Sequence, residues 1–527
     1  MNPAAAVSTL VGLSAFAGAG LLGPRGTFRR LRPPDGAARR LTGDRRTGGS
    51  PRRRGPEPRA ARWAKPRDVA QLVVGSARNT EGPPPGRLAL GQAHRKLLAS
   101  EAAQSVIVFG PTQSHKTSGF AVPAILDWRG PVVATSVKTD LIEHTVTHRA
   151  TVGPIQCFDP SGSTGVPSAG WSPLSGARTW PGARKVASAL TEVAKGSVGS
   201  MGDGDFWYAT ATRMLAPLLF AAACGGLSMD DVVRWVDTHE EHEVLDLLHT
   251  AGVPEALHVA WSTFGKEERQ RSSIYTTAET ILEPFVVARS NRLPGDGCHP
   301  SGSSGATSVP WDTGAIEASR LMDATSTLYL CAPAHDQRRL TPLFVSVLRQ
   351  VVDQSYEHVA RTRRPLDPPL LIVLDEAANI APLGDLDALA STAAGHGIQL
   401  VTVWHDLAQI TTRYGQRAST VVNNHRAKLF LSGISDPSTL DYASHLIGDE
   451  EVLVPSTTRG GQGGPSTTSS PSARRLAPPD ALRRTPAGEG VLVYGGLPPA
   501  RLALRCWFDD PRLSQRVAED RACDPLP

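Results

Sequence analysis

The sequence predicts an α/β fold, a buried sheet with parallel strands whose chain is interrupted by a long all-helical insertion. Three observations carry that prediction. VIVFGPTQSHKTSGF, Val106 to Phe120, runs from an apolar strand through a tight turn into a helix start. PPLLIVLDEAANI, far downstream, is a second apolar strand, Leu370 to Leu374, delivering Asp375 and Glu376 at its carboxyl end. Between the two, from Trp180 to about Pro300, apolar residues recur at helical spacing in RKVASALTEVA, FWYATATRMLAPLLFAAA, MDDVVRWV and EHEVLDLLH, with no strand signal among them.

A chain of 527 residues exceeds the size at which one core stops growing, so two globular domains with appendages are expected. The 40% of hydrophobic and 20% of charged residues allow a sizeable core. The six cysteines are scattered and never form C-x-x-C, which argues against a zinc site and against a disulfide scaffold and fits a reducing compartment.

Taken in order, Met1 to Pro24 holds no charged side chain and is about the ~20 residues needed to cross a hydrocarbon core. The nearby arginines, Arg25, Arg29, Arg30 and Arg32, follow the apolar run, unlike the charge of a signal peptide, and place everything after Pro24 on the cytoplasmic side of a cell-membrane anchor. Residues up to Arg67 hold 14 Arg and one Lys against three acids, a net +12 within a total of +5, which leaves −7 for the remainder. Residues 25–62, rich in Gly, Pro and Arg, therefore read as a disordered basic linker able to lie on anionic lipid headgroups.

Residues 63–179 read as the first part of a nucleotide-binding domain. GRLALG from Gly86 alternates as a strand does, SVIVFG feeds the turn, Phe120 to Trp128 suit a helix, and GPVVATSVKTDL returns a buried strand. This strand, helix, strand unit would set the turn at a helix N-terminus, where free backbone N–H groups and the helix dipole favour phosphate. Residues 180–300 form the inserted helical domain, and the Gly/Ser-rich stretch from His299 to Pro310 marks the return. Residues 301–510 complete the nucleotide domain, with 456–475 expected as a flexible loop and 511–527 as a C-terminal tail.

The turn meets G-x-x-x-x-G-K-[ST] at Gly110, Lys116 and Thr117, with Pro111, Thr112, Gln113, Ser114 and His115 between and Ser118 after; His115 stands where the second glycine belongs. Such a loop cradles phosphates with its backbone, Lys116 reaching the β- and γ-phosphates of ATP and Thr117 reaching Mg²⁺. The acid pair after the downstream strand supplies the complement: Asp375 for the metal and Glu376 to polarise an attacking water. A loop or an acid pair alone is a common strand end; both, in this order and each after a strand, point to nucleotide binding.

These segments, with SVKTDL and the downstream Arg149, the FDPSG and WSPL turns, FWYATATRMLAPLL, VLDEAANI and GIQLVTVWHDLAQI, resemble the TraG-type coupling ATPases of type IV secretion and conjugation, in the actinobacterial form carrying a TraM-recognition-type module. The resemblance runs from about Trp63 to the strand GVLVYG near Val491. It implies a RecA-like P-loop fold of the FtsK/HerA branch, a membrane-anchored homo-hexamer, and engagement of relaxase-bound DNA or secreted protein at the channel of a type IV secretion system in the inner membrane.

Two departures from the pattern bear on chemistry. His115 adds a Cβ where backbone approaches phosphate, although an imidazole can itself donate to a phosphate oxygen. The family's γ-phosphate-sensing glutamine aligns with His405, and the turn that would hold an arginine finger, near Ala394 in TAAGHG, has none. Arg269, Arg271, Arg413 and Arg426 are candidates to supply that cation in trans. The expected activity is an ATP-hydrolysing substrate-coupling motor. A nucleotide-gated docking receptor with little turnover and an FtsK-like double-stranded DNA translocase are the alternatives.

Overall fold

The computed structural model describes residues 60–76, 82–198, 204–290, 309–323, 325–333, 335, 337–380, 382–458 and 466–518. The expected anchor, Met1 to Pro24, and all but the last residues of the expected linker 25–62 lie outside them. Among the described residues no helix is long and apolar enough to cross a membrane.

Fourteen strands are described. Before the phosphate-loop strand come β1 (Val73–Ser76), β2 (Ala89–Ala93) and β3 (Lys96–Ala99), followed by β4 itself (Val106–Phe109). β5 (Val132–Ser136) and β6 (Ile155–Phe158) precede the helical insertion, and β7 (Thr327–Cys331), β8 (Leu370–Leu374), β9 (Ile398–Trp404) and β10 (Ala427–Leu431) follow it. β11 (Asp449–Thr458), β12 (Ser466–Arg475), β13 (Glu489–Tyr494) and β14 (Ala500–Ala503) complete the set. Twelve of them form one sheet in the order β1-β3-β2-β14-β13-β10-β4-β9-β8-β5-β7-β6. From β10 to β6 every pairing is parallel, and from β10 through β13 to β1 every pairing is antiparallel.

The parallel strands read as unbroken apolar runs because both faces are covered. On β4, Ile107 and Phe109 enter one core while Val106 and Val108 enter the other. Sequence reading took β4 and β5 as one strand, helix, strand unit. They are parallel members of the same sheet, but β9 and β8 lie between them, so the acid-bearing strand β8 comes two places from the phosphate-loop strand β4.

The helical insertion, Trp180–Val198 to Glu268–Ser290, does not close a core of its own. Its Met214, Leu215, Trp235 and Tyr275 belong to the same buried cluster as Ile107, Phe109 and Leu374 of the sheet. The FDPSG and WSPL turns make that joint. Asp159 accepts from the backbone N–H of Ser161 (3.0 Å) and Thr164 (2.7 Å), and Trp171 stacks on Phe285 with ring centroids 6.3 Å apart while its Nε1 donates to Gln350 (2.8 Å). The two expected domains therefore share one core. Arg149 is equally structural: fully buried, it donates to Thr327 Oγ1 (2.8 Å) and to the carbonyls of Trp128 and Gly130, and burial pushes its pKa down to about 10.

Two further expectations are corrected. Residues 456–458 and 466–475, read as flexible because Ser, Thr and Gly dominate, belong to an antiparallel ribbon of β11 on β12. The pairing is made by the backbone along all ten residues of each strand. Residues 511–518, read as part of a tail, are a helix whose Leu513 and Val517 are buried. Its attachment is ionic as well as apolar: Asp127, at the end of the helix Val122–Asp127, meets Arg505 (2.8 Å), Arg512 and Arg516 (3.1 Å), and Arg505 also meets Asp510 (2.8 Å). Asp127 and Arg505 are each only 4% exposed. Removing one member of a buried ion cluster leaves its partners desolvated and uncompensated. Asp127→Asn is expected to destabilise the fold by roughly 3 kcal/mol, measurable as a lowered midpoint in urea; an unchanged midpoint would show that Asp510 alone holds the three arginines.

Candidate nucleotide-binding site

The loop Gly110 to Thr117 joins the carboxyl end of β4 to a π-type turn, Thr117–Ala121, that continues into the helix Val122–Asp127. Gly110 is required by close approach, since a Cβ there would run into Ser114 Oγ, itself donating to Pro111 O (2.8 Å). Gln113 and His115 both take left-handed backbone angles, φ 65° and 62°. A glycine at position 115 would accept that conformation freely, whereas a residue with a Cβ is disfavoured there by about 1 kcal/mol. His115 Nδ1 lies 3.1 Å from Ser118 Oγ, and its ring lies 6.0 Å from that of Phe508, contacts that bear on this cost.

Lys116 and Asp375 are buried. Thr117 Oγ1 donates to Asp375 Oδ2 across 3.0 Å, joining the two motifs. Asp375 Oδ1 is buried with no hydrogen-bond partner among the described residues. Burial raises the Asp375 pKa from 3.8 to about 6, against the opposing effects of the Thr117 hydroxyl and the Lys116 charge. Burial likewise lowers the Lys116 pKa, with Asp375 and Glu376 opposing and Lys138 adding to the shift.

β9 lies between β4 and β8 and ends at Trp404, so His405 emerges in the gap between the loop and the acid pair. Lys116 Nζ donates to His405 Nε2 over 2.9 Å. Burial and the neighbouring Lys116 charge lower the His405 pKa, which keeps the imidazole neutral and able to accept. Glu376 has φ 57°, and its Oε2 accepts from Asn379 Nδ2 at 3.3 Å. The structure thus brings together Lys116, Thr117, Asp375, Glu376 and His405. Pro111, Thr112 and Gln113 lie on the open side of the loop, half-buried or exposed, and Ser118 begins its helical side.

Lys138, in the segment SVKTDL, is a basic residue near the site to which sequence pattern gives no role. β5 pairs with β8, placing Thr135 beside Leu374, and Thr135 Oγ1 donates to Asp375 O (3.3 Å). Lys138 follows two residues after β5 and lines a cavity of about 410 Å³ with Asp140, Glu143, Thr164 and Cys331. A lysine just past the strand beside the acid-bearing one was the available signal. Of the four arginines considered as trans cations, Arg271 pairs with Glu241 (3.3 Å) and Arg426 with Glu101 (3.1 Å), whereas Arg269 is exposed.

The family model described as type IV secretory system conjugative DNA transfer matches residues 63–289, and that described as the TraM recognition site of TraD and TraG matches residues 369–487. One match contains the phosphate loop, the other the acid pair. In these two segments the chain is similar to the TraG-type coupling proteins. A conjugal transfer protein TraG of Rhizobium radiobacter is 33% identical over 155 residues, 29% of this chain and 24% of that relative. A conjugal transfer protein TraG of Escherichia coli is 23% identical over 518 residues, covering 87% of this chain and 78% of the relative. The matched stretch thus spans about a quarter of the first relative's length and over three quarters of the second's. Among solved structures, the plasmid coupling protein TrwB with a non-hydrolysable ATP analogue aligns with TM-score 0.59 at 16% identity, over 87% of this chain and 96% of that one. TrwB with ADP and Mg²⁺ aligns with TM-score 0.58 at 16% identity, over 85% and 94%. These likenesses show that the chain has a mixed α/β fold matching that of TrwB.

The buried carboxyl of Asp375 has a thermodynamic consequence. Its folded pKa lies above the unfolded value, so the contribution of its neutral form is complete below about pH 4 and is lost as pH rises through about 6. Asp375→Asn removes that loss. Without nucleotide or metal, this variant should be more stable than the native chain at pH 8 by at most about 3 kcal/mol, seen as a higher melting temperature, with the gap narrowing towards pH 4. A variant that melts lower at pH 8 would show that the carboxylate stabilises the empty site.

Proposed function

We propose that this chain is the ATP-driven coupling protein of a conjugative or type IV secretion apparatus, anchored in the membrane by Met1 to Pro24 and assembled as a homo-hexamer on relaxase-bound DNA or secreted protein. The observation that carries the nucleotide reading is the Thr117 to Asp375 contact beside the unpartnered Asp375 Oδ1. Hard oxygen donors, one of them without a partner among the described residues, fit Mg²⁺. Thr117 and Asp375 would hold it, and it would neutralise charge developing on the phosphates. Names of the relatives, among them a coupling protein solved with ADP and Mg²⁺, support the same reading.

In this mechanism phosphate takes the place of His405 at Lys116. The ammonium is already desolvated and aimed by the 2.9 Å contact, so it exchanges a neutral acceptor for an anionic one, which binds more strongly. Released from Lys116, His405 Nε2 faces the end of the phosphate chain and is placed to report on the γ-phosphate. Glu376 orients the attacking water once its side chain leaves Asn379. With no arginine near Ala394, the cation that stabilises the leaving charge comes from a neighbouring copy. The docking-receptor alternative is favoured by one observation, the Glu376 carboxylate held by Asn379 rather than turned to Lys116.

Turnover separates the two readings. Steady-state ATPase, measured with and without single-stranded and duplex DNA, should be stimulated by DNA. Lys116→Ala should abolish binding of a fluorescent ATP analogue, and Glu376→Gln should keep binding while slowing hydrolysis by roughly 10²-fold or more. Tight binding by the Lys116 variant would refute the loop assignment, and a Glu376 variant with unchanged turnover would leave the receptor reading.

Localisation has its own test. Deleting Met1 to Pro24 should move the protein from the washed membrane fraction to the supernatant. Retention that is lost in high salt would assign attachment to the Arg-rich stretch instead, because lipid electrostatics are screened.

A further inference from the structure

The segment after β14 folds back over the phosphate loop. Trp507 N donates to Ser118 O (3.1 Å), the residue next to Thr117. The Trp507 ring lies 4.5 Å from that of His144, on the helix Asp140–Val152, and 5.6 Å from that of Phe508. Phe508 in turn lies beside His115, centroids 6.0 Å apart. Three anchors hold the segment in place: the Ser118 bond, the half-buried Trp507, and Arg505 on Asp127. Yet Phe508 is 47% exposed, one of the few large apolar side chains so open among the described residues. A rigidly mounted aromatic ring left facing solvent at the rim of a ligand loop lacks a partner that the fold itself supplies.

The direction of the loop says what that partner is. Lys116 and Thr117 face Asp375 and His405, which fixes the metal and terminal-phosphate end of the site on the side of β8 and β9. The rest of a nucleotide must leave the loop away from those strands. The opposite flank is formed by His115, Ser118, Trp507 and Phe508. Every nucleobase offers a flat π-face, and stacking on an exposed aromatic is tolerant of which base it is.

We propose that Phe508, braced by Trp507 and His115, is the stacking platform for the base of the bound nucleotide, and that it takes the base by its ring face, whichever base that is. The proposal rests on the nucleotide reading of the loop. It also gives His115 a role: the ring in place of the usual glycine supports the platform and ties it to Ser118. Nothing on this flank among the side chains named supplies the paired donors and acceptors that would read one base edge, so recognition is through the ring face.

The test uses the full chain, with Phe508→Ala, Phe508→Trp and the native protein, and three probes in the presence of Mg²⁺: ATP, GTP and inorganic tripolyphosphate. Phe508→Ala should weaken ATP and GTP alike by about tenfold, Phe508→Trp should restore both, and tripolyphosphate should bind all three proteins equally. ATP affinity unchanged in Phe508→Ala would overturn the platform. So would an equal loss for tripolyphosphate, which would make Phe508 a support of the loop. If the native protein binds tripolyphosphate but gains nothing from a base, the platform fails and the phosphate loop stands; if it binds none of the three probes, the nucleotide reading fails with it.

Discussion

The Thr117 hydroxyl donating to the Asp375 carboxylate across one intervening strand is the interaction on which the arrangement depends. Neighbouring strands lie about 4.8 Å apart, so β4 and β8, with β9 between them, hold their carboxyl ends roughly 10 Å from each other. A serine or threonine at the first turn after the loop and an aspartate at the end of β8 are what close that distance. β9 then has one place to send its next residue, into the gap, and that residue is His405. The parallel block therefore does more than bury Leu370 to Leu374: its strand order decides which side chains converge.

Convergence has a cost that the rest of the fold carries. Asp375 and Lys116 are each desolvated, which pushes the acid up and the amine down, and Asp375 Oδ1 has no hydrogen-bond partner among the described residues. A fold selected only for stability would not keep these groups buried together. The surrounding sheet makes this tolerable: all five residues of β8 and all seven of β9 are buried, with one core on each face. Contacts within the chain offset part of this: Lys116 Nζ donates to His405 Nε2 and Asn379 Nδ2 donates to Glu376 Oε2.

How much of this was legible in the sequence depended on range. Residues 106–120 and 370–376 declared their strands because a buried parallel strand is a continuous apolar run, and the candidate site residues follow it directly. The helices of the insertion were legible by their period. What they pack against was not, since the apolar face of Trp235 or Met214 says that it is covered without saying by what. The order of strands was hidden for the same reason, and β9 and β8 between β4 and β5 could not be inferred from a local pattern. The ribbon β11 to β12 was missed because its pairing is made by backbone, and composition rich in Ser and Thr carries no alternation of apolar and polar faces to read. The ionic attachment of 505–516 was missed because Asp127 lies nearly four hundred residues away from its partners.

His115 shows the same limit at a single residue. Against the motif it is a departure, and the sequence allowed a crowded loop or a phosphate ligand. In the structure its backbone takes the left-handed conformation that the glycine would have taken, so the loop keeps its shape and the substitution is met as local strain. About 1 kcal/mol of strain is within reach of one side-chain hydrogen bond, near 1 kcal/mol net, and His115 makes such a contact to Ser118 beside the Phe508 ring. Phe508 stands there only because Trp507 is bonded to Ser118 and Arg505 to Asp127. The residue that breaks the local rule is thus supported by a segment from the far end of the described chain, and the loop and that segment have to be understood as one structural unit.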